Sequence, residues 1–288
     1  MATVAPASTI VIYKLLALDL DGTLVRRDGS VHADDLAAIG KLQASGIAVT
    51  IATGRLYSGS RDVARLAKMI GPIACVDGSH IVHTDGDRDL HHHTLSGAHA
   101  ELLRSVIERH EAASFLFAQD AIVHDARGDS FAPYVRTWSP NITVVERMTA
   151  HPYWEHERGI LAVVAVGPEA NIEAIAAEVR GCLNDVALVV SFPISRYGGL
   201  FGLIVRALGS TKGTAVEWLA AHYGCSPAEV VAVGDWLNDV PMFKVAGRSF
   251  AMGQAPESVK QHATDRLRAE NATGGAIAEA IASVWGRV

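Results

Sequence analysis

The sequence predicts an α/β fold, in which the two ends of the chain build one parallel sheet flanked by helices and a separate α+β unit is inserted between them. Two patterns carry this reading. Short apolar runs alternate with helical periodicity in the order β-α-β-α-β near the start, and the same alternation returns late, as a parallel sheet with right-handed crossovers requires. Between Thr84 and Ala207 the order of elements changes character. A chain of 288 residues has room for both parts, since single cores stop growing at about 250–300 residues.

Leu15 to Leu20 is an apolar run that ends in acid and glycine, the pattern of a buried parallel strand delivering its last residues to a loop. Ala33 to Ser45 spaces Leu36, Ile39 and Leu42 as a helix does, with Gly46 as its stop. Ile47 to Ala52 reads as strand, Tyr57 to Met69 as one helix and Ile73 to Val76 as strand. In the middle, helices are expected near Ala98–Ala112 and Glu169–Gly181, with strands near Phe115, Ile122, Ile160–Val166, Val186 and Leu203. The late alternation comprises a helix from Gly213 to Tyr223, a strand from Val230 to Val233, a helix from Leu237 to Val245 and a last helix near Gly274–Val284. The expected division is therefore residues 1–83 with 208–288 as one domain and 84–207 as the insert.

Composition excludes several function classes. Hydrophobic residues make up 49% and charged residues 19%, which is ordinary for a globular protein. With 25 Lys+Arg against 31 Asp+Glu, the net charge of −6 opposes a nucleic-acid partner. A local site for a small anion is compatible with that balance. No apolar run approaches the roughly 18 residues of a spanning helix, and the first residues lack a charged leader, so no membrane partner and a cytoplasmic location are expected. Cys75, Cys182 and Cys225 fit neither a disulfide framework nor a zinc motif and read as buried thiols.

Asp19-Leu20-Asp21-Gly22-Thr23 stands at a strand end, where ligands bind in open α/β sheets. Period-two geometry would aim both carboxylates to one side. One carboxylate can attack phosphorus while the other donates a proton to the leaving oxygen. Thr53-Gly54-Arg55 follows the second strand and offers a hydroxyl and backbone N–H groups to phosphoryl oxygens. Lys212 opens a helix and brings an ammonium, although a solvated surface lysine is the commoner fate of such a residue. Gly234-Asp235-Trp236-Leu237-Asn238-Asp239 follows another apolar strand and supplies hard oxygen ligands suited to a magnesium ion.

Together these segments, in this order, resemble the four motifs of the haloacid dehalogenase superfamily. Met242-Phe243-Lys244-Val245-Ala246-Gly247 and Ala251-Met252-Gly253-Gln254-Ala255 resemble its Cof-like branch. The resemblance implies a Rossmann-like parallel core with an inserted α+β cap that selects the substrate, and a Mg2+-dependent phosphatase acting on a small phosphorylated metabolite, a sugar phosphate first among the candidates. It implies Asp19 as nucleophile and metal ligand, and Asp21 as general acid/base whose carbonyl also ligates the metal. Thr53, Gly54, Lys212 and Asn238 are implied to hold the phosphoryl group, Asp235 to bind the metal and Asp239 to support it from behind. A phosphomutase or phosphotransferase would share the first step, and a non-catalytic binding protein on the same scaffold is the third reading. A membrane transport ATPase is excluded for want of membrane helices, and a dinucleotide-binding dehydrogenase because no G-x-G-x-x-G follows the first strand.

One departure concerns Asp77-Gly78, where relatives commonly have Asn-Gly. Asp77 either places negative charge near the substrate or serves as a turn residue, in which Asp and Asn are interchangeable. Arg55, Arg196 and Tyr197 are candidates for touching the substrate, the last two in a hairpin near the return to the core. His91-His92-His93 reads as a solvated cap loop, because adjacent residues do not point one way. Oligomeric state leaves no trace in the sequence.

Overall fold

The structure, a computed structural model, describes residues 12–194 and 198–286. In chain order it contains β1 (Leu15–Leu18), α1 (Ala33–Ala44), β2 (Ala48–Ile51), α2 (Arg61–Leu66), β3 (Pro72–Cys75), β4 (His80–His83) and β5 (Arg88–His92). Then come α3 (Gly97–His110), β6 (Ala113–Ala118), β7 (Ala121–His124), α4 (Ala132–Val135), β8 (Ile142–Val144), β9 (Ala162–Pro168), α5 (Glu169–Leu183), β10 (Ala187–Pro193) and β11 (Leu200–Ala207). The chain closes with α6 (Lys212–His222), β12 (Val230–Gly234), α7 (Val240–Val245), β13 (Arg248–Ala251), α8 (Glu257–Lys260), β14 (Asp265–Arg266) and α9 (Ala276–Trp285). It divides into two compact units, residues 1–49 with 216–288, and residues 50–215.

The first unit carries a sheet in the order β14-β13-β12-β1-β2, with β2 running across the division. β1 pairs in parallel with β12, Leu15 opposite Val230 and Leu18 opposite Val233. Every residue of both strands is buried, which is why they read as unbroken apolar runs rather than alternating ones. α1 packs on α9. Asp35, in the first turn of α1, accepts hydrogen bonds from the N–H groups of Gly275 (3.1 Å) and Ala278 (2.9 Å), so a buried acid caps the start of α9.

The second unit has a six-stranded sheet, β10-β11-β9-β6-β7-β8, antiparallel except where β7 meets β8. α3 buries Ala100, Leu103, Val106 and Ile107, and α5 buries Ile172, Ile175, Ala176, Val179 and Leu183, each a single helical face. These faces join Leu116, Val163, Leu203 and Trp154 in one core. A fully buried side chain of this size contributes about 2 kcal/mol. The Trp154 indole keeps its N–H satisfied on the Met148 carbonyl at 3.0 Å.

Three expectations change. β3 forms only an isolated parallel bridge, Ala52 with Ala74, and otherwise pairs antiparallel with β4 in a sheet of the order β3-β4-β5. Val76, Asp77 and Gly78 all take positive φ, turning the chain back directly after β3. The single helix expected from Tyr57 to Met69 is a 3-10 turn, Tyr57–Gly59, followed by α2. Its N–H groups are taken elsewhere, Leu56 donating to the Trp138 carbonyl (3.0 Å) and Ser58 to Asp120 Oδ1 (2.9 Å). Cys75 alone of the three thiols is buried, Cys182 being exposed and Cys225 half-buried.

Candidate active site

Three carboxylates meet in the first unit. β1 ends at Leu18, and the N–H of Asp19 donates to the Val233 carbonyl at 3.0 Å, tying the first acid to the end of β12. β12 in turn delivers Asp235, and Asp239 folds back so that its Oδ2 accepts the N–H groups of Asp235 (2.8 Å) and Trp236 (2.9 Å). This fold-back explains why the helix expected from Leu237 starts as a 3-10 turn and becomes α7 only at Val240. One oxygen each of Asp19, Asp235 and Asp239 lies within 4.8 Å of the other two.

Two glycines make room for the acids. Gly22 has φ +80°, and a Cβ there would fall 2.2 Å from Asp235 Oδ2. A Cβ on Gly234 would lie 2.4 Å from the Asp239 carboxyl carbon. Ionised carboxylates this close repel by roughly 3 kcal/mol per pair at an effective dielectric of about 20, a strain that a bound cation relieves. An all-oxygen, all-anionic donor set matches a hard divalent ion such as Mg2+.

Asp19 and Asp21 differ in exposure. Both lie beyond the end of β1 in a tight turn, where Asp19 is 5% exposed and Asp21 faces solvent. The turn is held by residues with no assigned role in the sequence reading. Gln254 Nε2 donates to the Gly22 carbonyl at 2.6 Å, and Gln254 Oε1 accepts the Asn271 N–H at 3.0 Å. Asn271 Nδ2 donates to the carbonyls of Thr23 (3.1 Å) and Val25 (3.0 Å). Asn238 is half-buried in the loop between Asp235 and Asp239.

The remaining candidates lie in the second unit. Thr53 is buried; its N–H donates to the Ala74 carbonyl (2.9 Å) and its hydroxyl accepts the Arg55 N–H (3.2 Å). Gly54 is half-buried beside it. Arg55 Nη1 donates to the Gly59 carbonyl at 3.0 Å, bracing its own loop. Lys212 begins α6 and is 1% exposed, so it is not a solvated surface lysine. Asp77 is a turn residue in the left-handed region (φ 50°, ψ 35°) and also a buried acid, ion-paired with Arg206. Arg196 and Tyr197 lie outside the described residues.

His91 and His92 belong to β5 rather than to a loop, and His92 groups with His80 and Asp89. Tyr134 packs edge-on against Trp138, while Trp154 belongs to the core of the six-stranded sheet.

The family model of the haloacid dehalogenase-like hydrolases matches residues 16–281. An HMP-PP phosphatase of Serratia proteamaculans is 26% identical over 86% of this chain and 87% of its own length. A 5-amino-6-(5-phospho-D-ribitylamino)uracil phosphatase of Bacillus subtilis is 25% identical over 91% of this chain and 94% of its own. Among solved structures, a phosphatase of the haloalkanoate enzyme superfamily from Bacteroides thetaiotaomicron superposes with a TM-score of 0.79 at 21% identity, covering 99% of this chain and 100% of that one. Likeness at that identity concerns the fold.

Proposed function

The chain belongs to the haloacid dehalogenase-like hydrolases, and within that family we propose that it is a Mg2+-dependent phosphatase of a small phosphorylated metabolite. The observation that carries this reading is the convergence of Asp19, Asp235 and Asp239 at the ends of two adjacent parallel strands. Phosphatase names among relatives that cover most of the chain support it.

In the proposed reaction an Asp19 carboxylate oxygen attacks phosphorus and the bond from phosphorus to the leaving oxygen breaks, giving an aspartyl-phosphate. Asp21 donates its proton to the leaving oxygen, then takes one from the water that attacks the intermediate, so that inorganic phosphate leaves and Asp19 returns to its starting form. Asp19 and Asp235, with the Asp21 carbonyl, would hold Mg2+, which screens the approach of one anion to another. Asp239 would orient the Asp235 loop through its two backbone hydrogen bonds. Thr53, Gly54, Lys212 and Asn238 are proposed to bind the phosphoryl oxygens. Residues 84–207 are proposed as the cap that chooses the leaving group, on a core of residues 1–83 and 208–288.

The test is phosphate release from a panel of sugar phosphates, nucleotides, pyridoxal phosphate, phosphoglycolate and HMP-PP, with magnesium or EDTA. Magnesium-dependent release that falls at least about a thousandfold in Asp19→Asn is expected. Release that survives the substitution would sink the covalent mechanism. Phosphate appearing on a second sugar hydroxyl instead of in solution would point to a mutase.

A further inference from the structure

Asp77 and Arg206 form a buried ion pair whose chemistry the proposed reaction leaves unused. Arg206 Nη1 donates to Asp77 Oδ2 at 2.6 Å, and the two side chains are 7% and 5% exposed respectively. Desolvating two charges this far costs about as much as their attraction returns, so stability alone does not account for the pair. The neighbouring contacts suggest what it is. Arg206 Nε donates to the Ser210 carbonyl at 2.8 Å, so one guanidinium grips both Asp77 and the turn that leads into Lys212. On the other side, the Asp77 N–H donates to the Thr53 carbonyl and the Val76 N–H to the Arg55 carbonyl, both at 2.9 Å.

The turn between these contacts is held against its own preference. Val76 has φ 48° and Asp77 φ 50°, and a β-branched residue in the left-handed region persists only where its surroundings over-determine it. The segments are also pressed together, since a Cβ on Gly78 would fall 2.9 Å from the Thr211 carbonyl oxygen. The carbonyls of Thr53 and of Ser210, two residues before Lys212, are thus linked through Asp77 and Arg206 by a short chain of direct hydrogen bonds within one unit.

We infer that the Asp77–Arg206 pair is a positioning device that fixes the Thr53-Gly54 loop and Lys212 relative to one another so that both address the same phosphoryl group. The inference rests on the phosphatase reading above. Neither residue touches a reacting atom in this account. Asp77 is matched by a cation within the turn, so its charge is not an added repulsion toward the substrate. The device acts on kcat more than on KM, because misplaced phosphoryl donors lose more in the transition state than in the ground state.

The test replaces the ion pair by a neutral one, Asp77→Asn with Arg206→Gln, in the full chain and again in a Lys212→Met background. Magnesium-dependent phosphate release and thermal unfolding are followed in each. The expected result is a fall in kcat of at least tenfold with KM changed less than about threefold, and a further loss of under about twofold once Lys212 is already gone. Arg206→Lys alone, which keeps the charge but not the two-pronged reach, should land between wild type and the neutral pair. Unchanged kcat in the neutral pair would overturn the inference, as would an equal loss in both backgrounds accompanied by a lowered melting temperature. No release by the unsubstituted chain would overturn the phosphatase reading, and this inference with it. Release by that chain together with an unaffected neutral pair removes the inference alone.

Discussion

Two groups of side chains in this molecule have the composition of a metal site. Asp19, Asp235 and Asp239 form one, and His80, Asp89 and His92 the other; within each, one ligand atom per residue lies within 4.8 Å of the others. Direction and charge separate them. The acidic group has two glycines clearing space around its carboxylates, and all three of its donors are carboxylate oxygens. In the other group the His80 and His92 rings are stacked, 4.4 Å between centroids and 20° between planes. Ring-nitrogen lone pairs lie in the ring plane, so two stacked imidazoles send them side by side rather than toward one point. Asp89 is also occupied: its Oδ1 pairs with His80 Nε2 and its Oδ2 with Arg158 Nη1, each at 2.8 Å. Burial pushes the Asp89 carboxyl up, but the hydrogen bond to His80 and the charges around it prevail and hold it below the usual carboxylate range. Cleared space and an all-carboxylate donor set mark the acidic group as the candidate for an ion.

The sharpest way to break this comparison is Gly22→Ala. The added methyl collides with Asp235 Oδ2 and occupies a φ of +80° that alanine resists. Displacing that carboxylate by about 1 Å should lower magnesium-dependent turnover at least about a hundredfold. Retained activity at saturating magnesium would show that Asp235 need not sit where it does. Next in size is Asp239→Ala, which removes both acceptor contacts to the Asp235 and Trp236 N–H groups. A loss of roughly 3 kcal/mol in urea unfolding is expected, with a weakened magnesium dependence of activity. On the other side of the comparison, His92→Gln should leave the magnesium dependence of turnover unchanged. A shift in the magnesium midpoint would mean that the imidazole group takes part in ion binding after all.

The same contrast explains what was legible in the sequence. β1 and β12 announce themselves because strands buried on both faces are unbroken apolar runs, and Asp19 and Asp235 follow directly from where those runs stop. The helices of the second unit were legible from the spacing of Leu103 and Ile107, or Ile172, Ile175 and Val179. The hold of Gln254 and Asn271 on the Gly22 turn was not, although Gln254 lies in a family-like segment, because they act across more than two hundred residues and carry no local period. Arg206 is hidden as one charged residue in an otherwise apolar strand, its partner 129 positions away. A turn at Asp77-Gly78 was legible, but that it begins at Val76 was not, because it sets a residue with strong extended preference at positive φ. The histidine run looked like a loop because its pairing depends on β4, where Ile81 stands opposite His91 and His80, twelve positions earlier in the chain, opposite His92.

The smallest expected effect concerns pH. His92 is pushed below its ordinary value of 6.5 by burial first, and by the nearby His80 as well. Its folded form therefore takes up a proton less readily than its unfolded form. Between that ordinary value and the lower folded one, the unfolded chain binds more protons, so stability falls as the pH drops through the window and is fully present above it. His92→Gln removes this group from the balance. The melting temperature of that variant should decline less steeply than wild type as pH falls below about 6.5, with the two curves parallel at higher pH. A steeper decline would mean that the stacked imidazole is stabilised by protonation, which would reverse the electrostatic character assigned to the histidine group and reopen the question of what counter-charge it meets.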